Sequence, residues 1–234
     1  MPGAGTISVA VFAAVLPAKA STGALLVLLL VGDLFAVRSY RAHADWPTLR
    51  RLAPAVLLGV LAGTGFLAVA GDHMVRRVIG AVLLALVAVP LAGRRAGRGR
   101  QDGGALPGAE PAPRRGRLAR LRAGGYGVLA GFTTMVANAG GPVMSLYLLA
   151  SRFSVAMFLG TAALFFFAIN LAKLPFSASL GLITRESLLL DAVLAPAVVV
   201  GALVGRPLAR RLPRAVFERL VLVLTVVAAA NLLL

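Results

Sequence analysis

Apolar windows near 20 residues recur along the chain, at 20–37, 52–70, 78–92, 155–174, 188–205 and 216–234. Each is about long enough for a helix across a hydrocarbon core of about 30 Å. Leu25 to Val31 and Val221 to Leu234 run apolar with little interruption, whereas a barrel strand alternates apolar and polar positions, so these spans are expected to be helical. A further apolar stretch, Gly124 to Ala150, is broken in its middle by Asn138-Ala139-Gly140-Gly141-Pro142. Adjacent glycine and proline end a helix, which predicts two half-helices over 126–137 and 142–151 with an irregular tip between them.

The pattern occurs twice. Leu52-Ala53-Pro54-Ala55-Val56 returns as Leu194-Ala195-Pro196-Ala197-Val198, and at the same spacing Gly59, Gly63 and Arg77 return as Gly201, Gly205 and Arg219. Gly3 to Ser8 resembles Gly140 to Ser145, and Ser21-Thr22 resembles the Gly160-Thr161 step. On this alignment Met1 falls opposite Asn138, so the first half of the first hairpin is expected to be missing from the chain. Between the halves, 93–122 is rich in Gly, Pro and Arg with no apolar period, and reads as a flexible basic linker. The plan is an all-α integral membrane protein: a first repeat over 1–92, the linker 93–122 and a second repeat over 123–234. Each repeat has three spans and a broken or re-entrant helix.

Composition agrees with this plan. At 59% hydrophobic residues and a mean hydropathy of +0.91, the chain has too little polar surface to coat a soluble particle. A multi-pass protein of the cell membrane, solvated by the lipid bilayer, is expected. The absence of cysteine excludes disulfides, thiolate metal sites and sulfur-relay chemistry. Both histidines, His43 and His73, fall in short polar loops, where a metal site is not expected. No Walker loop, dinucleotide fingerprint, HExxH or Ser/His/Asp set is present, so neither an enzyme nor a cofactor is expected.

The net charge of +16 sits in 22 arginines placed between the spans, which the positive-inside bias explains without nucleic acid. Its distribution also chooses a topology. If 124–150 crosses the membrane, Lys and Arg divide 14 to 8 between the two faces; if it enters and leaves on one side, they divide 19 to 3. The second division obeys the bias far better. It gives each repeat an odd number of crossings, so the two halves are expected to be inverted relative to each other.

A carrier site needs polar groups at membrane depth, and irregular backbone is tolerated there only where it lines a cavity or is buried in protein. The tip from Asn138 to Pro142 is the candidate. Gly140 and Gly141 leave backbone N–H groups unshielded, and the half-helix beginning at Pro142 turns its positive dipole end toward the tip. Thr133, Thr134, Asn138 and Ser145 add the hydroxyl and amide donors that suit an oxyanion. The plain alternative for the glycines is close helix packing.

Three ionisable residues lie in or at the ends of spans. Asp33 stands 12 residues after Ser21 and Lys173 stands 12 after Thr161, so the two occupy equivalent repeat positions with opposite charge. Asn170 lies one turn before Lys173 on the same face. Charged groups in spans are costly and usually functional, although both sit near enough to helix ends to reach water. Asp191 stands beside the Glu186 loop, the setting of an ordinary helix-end carboxylate. Phe165-Phe166-Phe167 reads as packing, and Trp46 and Tyr40 as interface anchors.

These segments resemble a known family. Tyr126 to Pro142, with Gly160-Thr161 and Asn170 to Phe176, is similar to the sulfite exporter TauE/SafE permeases; so are Leu16 to Thr22, Val31-Gly32-Asp33 and Asp45-Trp46. The resemblance implies two related four-segment halves and movement of sulfur-containing anions such as sulfite or organosulfonates. The residues themselves point to an anion-friendly broken helix, and the resemblance adds the substrate class. The expected function is a secondary transporter of small oxyanions, coupled to protons or to the membrane potential; an anion channel and a non-transporting scaffold subunit are the alternatives. The candidate binding set is Thr134, Asn138, Gly140, Gly141, Ser145, Thr161, Asn170 and Lys173, with Asp33 as coupling candidate.

Single cysteines at Ala44, Ala96 and Ala209, treated in intact cells with an impermeant thiol reagent, test the charge partition. All three are expected to be protected. Reaction at Ala209 alone would put 205–219 on the opposite face and reject inverted repeats.

Overall fold

The computed structural model describes residues 4–96, 117–150 and 153–211. Every regular element among them is a helix: α1 Ala4–Val15, α2 Ala18–Tyr40, a 3-10 turn Arg41–His43, α3 Trp46–Val69, α4 Asp72–Ala96, α5 Arg117–Ala137, α6 Gly140–Ala150, α7 Val155–Ser179 and α8 Arg185–Arg211. In helices the backbone polar groups between the two end turns are satisfied within the segment, as a lipid environment requires. Within α2, α3 and α7 lie helical stretches long and apolar enough to cross a membrane. The expected spans 78–92 and 188–205 fall in α4 and α8, and 216–234 lies outside the described residues.

Burial follows the same logic. Large apolar side chains face outward, with Leu58 61% and Val69 86% exposed, while Lys173, Asn170, Thr134 and Thr161 are buried. A soluble domain distributes these residue types the other way round.

The broken stretch folds back on itself. α5 ends at Ala137, Asn138 adopts the left-handed conformation at φ 49°, and α6 starts at Gly140. The Tyr126 and Tyr147 rings then meet with centroids 6.0 Å apart. In a continuous helix, at about 1.5 Å per residue, they would stand about 30 Å apart, so α5 and α6 form a hairpin. Two expectations need correction. α5 begins at Arg117 rather than near 126, and α4 runs to Ala96, so both ends of the supposed linker are helical. Arginine and alanine are good helix formers and need no apolar stripe to continue a helix already nucleated by its packed part. The apolar portion of α5 is still short, Ala123–Ala137.

Two seams hold the helices. α3 runs parallel to α5, and their backbones touch through glycine: a Cβ on Gly59 would overlap the Val128 carbonyl, and one on Gly131 the Val56 carbonyl. Phe66 and Phe132 close one end of this seam, their rings 5.9 Å apart. α2 runs antiparallel to α7. Near one end of the crossing Gly23 lies against the Leu182 carbonyl, and near the other Gly160 lies against Tyr40, His43 and Ala44. The turn after each helix thus rests on the first part of the other, and Asp45 N–H donates to Thr161 Oγ1 at 2.9 Å to fix one of these joints. Asp45 also caps α3, accepting from Thr48 N–H at 3.0 Å.

Gly59→Val and Gly131→Val are expected to cost at least about 1–3 kcal/mol through overpacking and to lower the melting temperature in detergent. Gly65→Ala, where a Cβ meets nothing within 4 Å, is expected to leave it unchanged. Equal melting of all three would show that α3 and α5 are not in backbone contact.

Candidate functional site

Near the middle of the α2–α7 crossing the geometry brings Asp33 close to Lys173, the two residues that the sequence alignment set at matching positions. They are joined through an amide: Asn170 Nδ2 donates to Asp33 Oδ2 at 2.7 Å, and Lys173 Nζ donates to Asn170 Oδ1 at 3.3 Å. Asn170 lies three residues before Lys173, which puts both on one face of α7.

Lys173 is 1% exposed. Its ammonium reaches from α7 to the hairpin tip, donating to the Thr134 carbonyl at 2.7 Å and to Asn138 Oδ1 at 2.5 Å, with Thr134 Oγ1 at 3.5 Å. All of these partners are neutral acceptors. Among the described residues no carboxylate makes a direct ion pair with Lys173; the nearest link to one is the amide bridge to Asp33. The site holds a cation whose hydration has been replaced by amide, carbonyl and hydroxyl oxygens.

Asn138 is the hinge of this arrangement. Its left-handed backbone ends α5, with Asn138 N–H and Ala139 N–H turning back to the Thr134 and Thr133 carbonyls at 3.0 and 3.2 Å. Asparagine tolerates that conformation better than most residues. Its side chain is used at both ends: Oδ1 accepts from Lys173, and Nδ2 donates to the Thr22 carbonyl of α2 at 2.9 Å. The tip is therefore tied to both α2 and α7.

The two tip glycines differ. A Cβ on Gly140 would meet Thr134 Cβ at 2.8 Å, so Gly140 serves the packing of the hairpin. A Cβ on Gly141 would find its nearest neighbour, Phe166 Cζ, only at 4.0 Å. Gly141 thus has room for a methyl group in ordinary contact with Phe166 at the start of α6, where the first helical N–H groups have no intrahelical acceptor.

Other candidates sit elsewhere. Thr161 is fully buried, but its hydroxyl serves the Asp45 joint, 12 residues from Lys173 and about 18 Å along α7. Thr133 Oγ1 donates back to the Leu129 carbonyl at 2.8 Å within its own helix. No hydrogen bond joins Ser145 to the cluster among the described residues. Phe165 and Phe166 pack edge to face at 5.2 Å, in keeping with a packing role. Two features went unread in the sequence. The Thr22 carbonyl is a backbone acceptor without a residue signature. Asp191, expected to be solvated, is 3% exposed, and its register with Leu194 and Val198 on one helix face was the available signal.

No curated protein and no solved structure matches the chain. The family model described as sulfite exporter TauE/SafE matches residues 2–232, nearly the whole chain, in keeping with its helical hairpin, its outward apolar surfaces and its buried polar cluster. The chain belongs to the sulfite exporter TauE/SafE family, a family of membrane transporters.

Proposed function

We propose that the protein is a secondary transporter of small sulfur oxyanions, sulfite or organosulfonates, and that the anion binds where the hairpin tip meets α7. The observation that carries this reading is Lys173: a buried cation with neutral acceptors, which an arriving oxyanion can replace. Each sulfonate or sulfite oxygen accepts hydrogen bonds, so one anion can take over the donors now pointing at Asn138, Thr134 and Asn170. Gly141, which crowds none of its neighbours, and the rest of the α6 N-terminus supply further N–H groups, and the helix dipole favours negative charge there. Thr134, Asn138, Gly140, Gly141, Asn170 and Lys173 form this site. Ser145, one turn into α6, stands at its margin, and Thr161 holds the α2–α7 joint about 18 Å away.

Asp33 is the coupling residue in this reading. Ionised, it balances Lys173 through Asn170 in the empty site, so a bound anion leaves one negative charge in excess. A proton or the membrane potential has to offset that charge. The antiparallel crossing of α2 and α7 and the hairpin of α5 and α6 support inverted repeats, with the hairpin re-entrant and the two halves moving about the glycine-lined crossing.

Counterflow of labelled sulfite in proteoliposomes tests the function. Saturable exchange is expected; conductance without counterflow would identify a channel, and neither would leave a scaffold. Gly141→Ala fits the structure without a clash and is expected to reduce exchange by about tenfold or more, the equivalent of one hydrogen bond to a charged partner. Unchanged exchange in Gly141→Ala, with wild type active, would remove the tip backbone from the binding site.

A further inference from the structure

α8 carries a second buried charge that the anion site does not use. Among residues 188–193, the leucines, Ala192 and Val193 are exposed, and Asp191 alone is buried, at 3%. Neither of its carboxylate oxygens has a hydrogen-bond partner. Along this stretch the helix is thus turned with its apolar side chains outward and Asp191 inward, where α2 is the described element packed along it. In α3, the repeat-equivalent helix, the matching position is Leu49, an ordinary apolar residue packed on the core.

An ionised carboxylate without a partner is among the costliest groups to bury, and such groups neutralise instead. The charged and titratable groups that could face Asp191 are Lys19, Asp33, Arg38 and Tyr40 of α2, with Arg185 and Glu186 at the start of its own helix. None of them hydrogen-bonds to it. Lys173 and Asp33 are already tied to each other through Asn170. Asp191 lies six residues into α8, about 9 Å from the exposed Arg185 and Glu186 at the helix start, so a slide of α8 along α2 by up to about that distance would carry its oxygens to their level.

We infer that Asp191 is the proton-binding site of the transport cycle: it holds a proton on a carboxylate oxygen in the conformation described and releases it to water when α8 moves. This rests on the transport reading above and supplies the positive charge that reading requires. The step is a simple protonation, carboxylate plus proton giving the neutral acid, with no bond made to the anion. Anion and proton then move in the same direction.

The test uses the full-length protein and two readouts. In purified wild type at neutral pH, the infrared carbonyl band of an un-ionised carboxylic acid is expected, and Asp191→Asn is expected to remove it. Absence of that band in wild type would overturn the proposal whatever the protein transports. In proteoliposomes the probe is labelled methanesulfonate, which stays ionised across the working range, so that a pH gradient acts on the protein and not on the probe. Wild type is expected to accumulate it by up to about tenfold per unit of pH difference, the limit for one proton per anion. Asp191→Asn, a neutral amide of the same shape, is expected to keep exchange without a gradient and to lose gradient-driven accumulation. Accumulation retained in Asp191→Asn would also overturn the proposal. A wild type that shows the band but exchanges no anion would instead reject the transport reading and leave the buried acid standing.

Discussion

A lysine ammonium held out of water is the constraint around which the second half of this molecule is arranged. Moving such an ion into a low-dielectric interior costs several kcal/mol even after relaxation. Lys173 recovers that cost from the Thr134 carbonyl and the side-chain oxygens of Asn138 and Asn170. Each acceptor must therefore be held in place: Thr134 by the end of α5, Asn138 by its left-handed backbone and its bond to the Thr22 carbonyl, and Asn170 by Asp33. The hairpin tip, α7 and α2 are joined at one group. In the proposed cycle an anion competes for this ammonium, since every direct acceptor is neutral and an oxyanion is a better partner than any of them.

The surrounding helices make that exchange feasible. Backbone contact at Gly59 and Gly131 binds the hairpin firmly to α3, so α3 and α5 are expected to move as one body. Contact between α2 and α7 is different in kind. It is pinned near its two ends, at Gly23 against Leu182 and at Gly160 against the 40–44 turn, and polar in the middle. A joint of this form can rock about its ends while its central hydrogen bonds change partners. Alternating access requires such a motion about a fixed site.

Much of this was legible in the sequence for definite reasons. Glycine beside proline is disfavoured inside a helix, so a break near this stretch was visible before any coordinates. The chain turns at Asn138 and Ala139, while Gly140 to Pro142, expected in the irregular tip, form the first turn of α6, where proline is tolerated. The charge pair Asp33 and Lys173 was found by counting from Ser21 and Thr161, because a repeat fixes equivalent positions whether or not the side chains agree. Other parts left weaker traces. Gly140 and Gly141 are identical letters, and only the packing separates the one pressed on Thr134 from the one with room for a methyl group. Thr161 belongs to a conspicuous Gly-Thr step, yet its hydroxyl serves the backbone of Asp45. The start of α5 at Arg117 was hidden because Arg117, Arg120 and Arg122 interrupt the apolar sequence ahead of Ala123. Asp191 was read from its neighbour Glu186, when its register with Leu194 and Val198 pointed inward.

Calorimetric titration of sulfite into purified wild type and Lys173→Met, with folding of each checked by its elution and melting, tests the central claim most directly. Methionine keeps the unbranched stem, one atom shorter, and removes the charge and the donors. Binding is expected to weaken by about one to two decades, the equivalent of about 1.5–3 kcal/mol for hydrogen bonds to a charged group. Equal affinity in a folded Lys173→Met protein would contradict the account and leave Lys173 as a brace for the hairpin tip.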